Sequence, residues 1–154
     1  MTKRELTKVI RDIVVAGKWS VKDVVEAIDG YLIGTGQYRQ VFGTKLNRSY
    51  VIKWEHNLEA SQFCNIGEYR AWNWFYETRY AKWFAPVHFV SDDSKLLMMQ
   101  RADPIKISDL PKRVPPFFGD LKASNWGMIK GKPVCIDYAI IHPKSGPLTK
   151  PKWK

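Results

Sequence analysis

Cysteine is almost missing from this chain: two residues, Cys64 and Cys135, in 154. Two thiols cannot build a disulfide framework, and they fall in no metal-ligand spacing; both read as small buried apolar residues. Histidine is scarce as well. His56, His88 and His142 are scattered, with no nucleophile or metal partner near any of them in sequence, and read as surface or filler residues. There is no apolar run of about eighteen residues that could span a bilayer, and the opening MTKRELTK is too charged for a signal h-region. Acids are missing from residues 142–154, which carry four Lys and three Pro. These absences exclude membrane-spanning, disulfide-stapled and zinc-module classes, and a cytoplasmic location is expected.

What is present is enough for one hydrophobic core: 45% hydrophobic and 26% charged residues, with seven each of Trp, Tyr and Phe. The net charge of +10 is uneven: +4 over residues 1–50, −1 over 51–100 and +7 over 101–154. Such a surplus favours polyanions, among them DNA, RNA and nucleotides.

Leu6, Val9, Ile10, Ile13 and Val14 recur at helical spacing over residues 3–15. Ser20 with Asp23 three positions on predicts a capping box opening a second helix that stops at Gly30. YLIG, RQVFG and YVIKWE then read as three short strands. A long helix is expected within residues 57–84, irregular around Gly67, with Trp72, Trp74 and Trp83 in the core between helix and sheet. VHFV and KLLMMQ form a hairpin, residues 101–120 a polar Pro-rich connector, and WGMI with PVCID a last hairpin before the basic tail.

On this framework sit residues that suggest chemistry. IGTGQYRQVFG (33–43) is a glycine-rich turn between strands, where the missing Cβ lets backbone close over phosphates. Lys53 lies inside the apolar strand YVIKW, and burying an ammonium requires a paired anion. Asp120, Lys122 and Asn125 follow the pattern D-L-K-x-x-N, and a hairpin then ends in Asp137. In this order and spacing the chain resembles the protein-kinase-like superfamily. GDLKASN shares its Leu-Lys with the H-R-D-L-K-x-x-N loop of protein kinases and its Gly-Asp with the H-G-D-L-H-x-x-N loop of aminoglycoside and choline kinases. Ile136-Asp137-Tyr138 matches the metal-binding D-F-G or I-D-F element.

The resemblance implies an α+β fold: a kinase-like N-lobe of antiparallel sheet plus long helix, with N-terminal helices and a strongly reduced C-lobe carrying catalytic loop and metal-binding hairpin. The corresponding segments are 1–30, 31–101, 102–141 and the tail 142–154. It implies ATP and Mg²⁺ as ligands. Gly34 and Gly36 would cover the β- and γ-phosphates, and Lys53 would touch the α- and β-phosphates. Glu68 is the preferred acid to hold Lys53, with Glu59 and Glu77 as competitors. Asp137 and Asn125 would hold the metal. Asp120 would accept the proton of the attacking hydroxyl, and Lys122 would steady the moving phosphoryl group. Residues 98–101 would be the hinge that bonds adenine through its backbone, with Ile33, Val41 and Met99 around the ring and Arg101 closing the segment.

Three features depart from the family pattern. Arg39 stands at the third loop glycine, where it could stabilise phosphate but would stiffen and crowd the loop; Phe118 replaces the catalytic-loop histidine; and only eighteen residues, 102–119, join hinge to Asp120. The N-terminal helices would cover the underside of the catalytic hairpin, or else mediate a homodimer. The function expected is a minimal phosphotransferase acting on a hydroxyl, of a protein or of itself. The alternatives are a pseudokinase-type ATP-binding module that docks on a partner protein, and a basic nucleic-acid-binding protein acting through its tail. A small, pared-down basic core would suit a viral source, and then the host cytoplasm.

Overall fold

A computed structural model describes residues 1–56, 63–142 and 144–154. Helix α1 (Lys3–Val15) starts at a capping box in which the Thr2 hydroxyl accepts from Glu5 N and the Glu5 carboxylate accepts from Thr2 N. Helix α2 (Val21–Ala27) opens with the expected Ser20–Asp23 box. Each box satisfies two amide donors that the first helical turn leaves unpaired.

Five strands follow the helices: β1 (Gly30–Thr35), β2 (Arg39–Thr44), β3 (Tyr50–Glu55), β4 (Val87–Val90) and β5 (Leu96–Gln100). They form one antiparallel sheet in the order β1-β2-β3-β5-β4. Strand period divides β3 and β5 between two cores. Ile52, Leu96 and Met98 join Leu6, Ile10, Val24 and Ile28, so α1 and α2 cover one sheet face. Val51, Leu97 and Met99 belong to the larger core on the other face, where helix α3 (Cys64–Phe75) packs. Both strands are thus buried on both sides, which explains their near-continuous apolar composition. The N-terminal helices therefore lie on the sheet and not under the C-terminal hairpin: the complementary apolar surface is the Ile52–Leu96–Met98 face.

Helix α3 is shorter than the long segment expected. Residues 57–62, including Glu59, lie outside the described ones. Its N-terminus is capped from afar: both oxygens of the buried Glu55 carboxylate accept the Cys64 and Asn65 amides, at 2.7 and 3.0 Å. An acceptor anion there suits the orphan donors and the positive end of the helix. The helix runs unbroken through Gly67, which donates normally to Phe63 O. The glycine serves packing: a Cβ there would come 3.0 Å from Ala139 O. Trp74 is 78% exposed, contrary to its expected core place, whereas Trp72 and Trp83 are half-buried against the core.

A small three-stranded sheet, β6 (Asp103–Pro104), β7 (Trp126–Ile129) and β8 (Lys132–Cys135), completes the α+β architecture. The connector contributes more than polar linkage, because Leu110, Val114, Phe117 and Phe118 are buried. Phe117 stacks with Phe75 and Phe84, and Phe118 packs tilted on Phe84 and edge-on to Trp126, at centroid distances of 4.8–5.9 Å. The basic tail is docked. Thr149 and Val114 exchange backbone bonds, Trp153 packs edge-on to Trp126 at 5.5 Å, and Lys154 N donates to Leu121 O at 2.9 Å. Cys135 is buried as expected, while Cys64 is only partly so. No helix among the described residues is long and apolar enough to cross a membrane.

Candidate functional site

A cleft of about 1020 Å³ lies between the β1–β2 turn and the segments around Asp120 and Asp137. Its size is at the upper end of small-molecule sites. Among its walls are Gly34, Gly36, Val41, Lys53, Met99 and Arg101 on the sheet side, and Asp120, Lys122, Asn125 and Asp137 opposite. Gly34 and Asp137, 103 positions apart in sequence, thus face one cavity.

Lys53 points from β3 towards α3. Its Nζ donates to Glu68 Oε1 at 2.8 Å and to the Ile136 carbonyl. Glu68 is therefore the acid that holds Lys53; Glu77 is exposed beyond the helix end. Glu68 is placed by the α3 cap, one helical turn after the Asn65 that Glu55 anchors. Asn65 is itself bound, donating to Lys53 O and Ser94 O. The Glu68 carboxylate also accepts the Tyr138 amide at 3.0 Å, which fixes the backbone beside Asp137.

Arg39 does not crowd the mouth of the loop. It is buried beneath it, donating to both Glu68 oxygens at 2.7 and 3.1 Å, to Asn65 Oδ1 at 3.1 Å and to Asp137 Oδ1 at 3.0 Å. A planar fork suits such bidentate recognition. Burial works against ionisation of Glu68, but Arg39 and then Lys53 outweigh it and bring its carboxyl down to about 2. Burial lowers Lys53 below the ordinary lysine range, with Glu68 opposing and Arg39 adding to that shift. Burial also opposes the Arg39 charge, yet Glu68 and Asp137 more than offset it and raise this guanidinium further.

On the opposite wall, Asn125 Nδ2 donates to Asp120 Oδ2 and to Asp120 O, both at 3.0 Å. Lys122 Nζ lies 3.5 Å from Asp120 Oδ2, and Lys154 Nζ lies 3.9 Å from Oδ1. Asp120 is thus oriented by a buried amide while keeping a solvent-facing carboxylate. Phe118 fills its position apolarly within the aromatic core, and His142 lies against the adjacent Gly119, where a Cβ would overlap its ring.

The hinge expectation needs correction in its donors. Gln100 N already donates to Pro86 O and Arg101 N to Ser49 O, so neither amide is available to a base. Met98 points into the helix-covered core, while Met99 and the Arg101 side chain, which donates to Tyr31 Oη at 2.5 Å, line the cleft.

Asp137 Oδ2 and Asn125 Oδ1 are the oxygens these hydrogen bonds leave over, and the Asp137 side chain is 51% exposed. Hard oxygens in small number fit Mg²⁺ carried largely by phosphates and water. Among the described residues no group of three or more His, Cys, Asp or Glu forms a metal site. Sequence reasoning did not find Glu55, Asn65 and Trp153, nor the inward course of Arg39. The buried charges at positions 39 and 55 carried a signal in their apolar strands. No family model, no curated protein and no solved structure matches the chain.

Proposed function

We propose that this protein is a minimal kinase-like phosphotransferase that moves the γ-phosphate of ATP to a hydroxyl, of a protein or of itself. The observation that carries this reading is the buried Lys53–Glu68 pair at one wall of a cleft whose other wall holds Asp120, Asn125 and Asp137. A cation held by a buried acid suits phosphate oxygens, and a half-exposed carboxylate fixed by an amide suits an incoming hydroxyl. Gly34 and Gly36 would cover the phosphates, and Val41, Ile33 and Met99 would flank the base. Asp120 takes the hydroxyl proton as the acceptor oxygen bonds to the γ-phosphorus. The bond from that phosphorus to the ADP oxygen breaks, and Lys122 offsets the charge on the moving group. Mg²⁺, held by Asp137 and Asn125, would supply additional neutralisation of the phosphates.

A second reading, an ATP-binding module that acts by docking on a partner protein, is favoured by the engagement of Asp137 with Arg39. The two separate on transfer of labelled γ-phosphate. The enzyme gives transfer that Asp120→Ala abolishes; the docking module gives a melting temperature raised by ATP without transfer. Neither shift nor transfer would contradict both.

A further inference from the structure

Arg39 gives the cleft a fixed cation where the resemblance calls for a glycine. Its guanidinium bridges Glu68 and Asp137, so these two carboxylates are matched by two cations, Lys53 and Arg39. With glycine at position 39 the same cluster would hold two carboxylates against one cation. A polyphosphate arriving there would add to a negative excess, and a metal would have to travel with it. Including the lining residues Arg48, Arg101 and Asp103, and Lys122 and Lys154 beside Asp120, the cleft and its floor hold six cations against four carboxylates.

We propose, resting on the nucleotide reading above, that this site binds nucleoside triphosphate without a divalent cation, Arg39 supplying at Asp137 the positive charge that a metal would otherwise bring. The chemistry of the side chain suits this task. A guanidinium stays charged at any working pH, and its rigid fork needs little reorganisation once locked by four donated bonds. The side chain is buried, so its charge is poorly screened by water or salt at the point where phosphate would approach. The arrangement leaves Asp137 Oδ2 outside the bridge. A metal can add to the bound nucleotide there, as an accessory to turnover and not as a condition of binding.

The test is the affinity of the full chain for ATP, by titration calorimetry, in excess Mg²⁺ and in excess EDTA. For the wild type the two dissociation constants should agree within about threefold. In Arg39→Gly and Arg39→Gln, ATP should bind at least about tenfold more weakly in EDTA than in Mg²⁺. Circular dichroism checks that each variant is folded; should neither fold, the wild-type pair of titrations decides. Wild-type binding that needs Mg²⁺ overturns this inference and leaves the nucleotide reading standing. Variants as indifferent to the metal as the wild type overturn the role of Arg39. No ATP binding in either buffer removes the nucleotide reading, and this inference with it.

Discussion

Lys53 Nζ and Glu68 Oε1 meet 2.8 Å apart, with 6% and 0% of their side chains exposed. Two groups so far from water are ionised only because each is multiply bonded. Glu68 accepts from Lys53, twice from Arg39 and from the Tyr138 amide. The pair therefore joins four pieces of chain: β2, β3, α3 and the segment after β8. A buried ion pair of this kind adds little net stability, yet breaking it is costly, because the surviving charges stay buried.

Glu68→Ala leaves Lys53 and Arg39 facing an empty acceptor. The expected loss is about 3–5 kcal/mol in the free energy of unfolding, read from urea denaturation. A loss under about 1 kcal/mol would show that the network is dispensable to the fold.

Acid should expose the same group. The Glu68 carboxyl lies below its ordinary value of 4.5, at about 2. A depressed carboxyl contributes stability that is complete above its unfolded value and is lost as the pH falls through the folded one. The melting temperature should therefore drop between about pH 4.5 and pH 2, by the equivalent of roughly 3 kcal/mol from this residue. Glu68→Gln should flatten that part of the profile, and an equally steep profile in the variant would contradict the assignment.

Much of this was legible in the chain itself, and the limits have physical causes. Strands β1 to β5 and the last hairpin follow from apolar runs and turn residues. Lys53 stood out because an ammonium inside YVIKW demands an anion. Glu68 could be preferred but not isolated, since choosing among acids on one helix requires knowing which turn faces the sheet. The fold makes that choice through Glu55, a cap 9 and 10 residues distant in sequence that no local pattern announces. Trp74 misled because an aromatic at helical spacing says nothing about what packs above it. The docking of the tail was not legible either: its lysines are exposed, and nothing local in a Lys- and Pro-rich segment announces that Trp153 packs on Trp126.

Two glycines should separate folding from binding. At Gly67 a Cβ meets Ala139 O at 3.0 Å, so Gly67→Val should cost about 1–3 kcal/mol and shift the chain beside Asp137. At Gly34 nothing lies within 4 Å of the added Cβ. Gly34→Ala should keep its stability within about 0.5 kcal/mol while weakening ATP binding several-fold, measured by calorimetry beside thermal melts. Unchanged ATP affinity in Gly34→Ala would count against a phosphate-covering turn.

Trp153 is the anchor of the tail, edge-on to Trp126 with Nε1 donating to Pro111 O at 3.3 Å. Trp153→Ala should cost about 1–3 kcal/mol, less than a fully buried tryptophan. Limited trypsinolysis should then cut after Lys144 and Lys152 sooner than in the wild type, the Lys150–Pro151 bond being resistant to trypsin. Equal cleavage times would show that the remaining backbone bonds hold the tail unaided.

The central claim concerns the two walls of the cleft acting together, and transfer of phosphate is its direct measure. Purified chain incubated with γ-labelled ATP, alone and with a cell lysate, should label itself or a lysate protein. The label should fall at least about a hundredfold in Asp120→Ala, the order expected for removing a general base. Labelling that persists in Asp120→Ala, or none in the wild type with ATP bound, would contradict it.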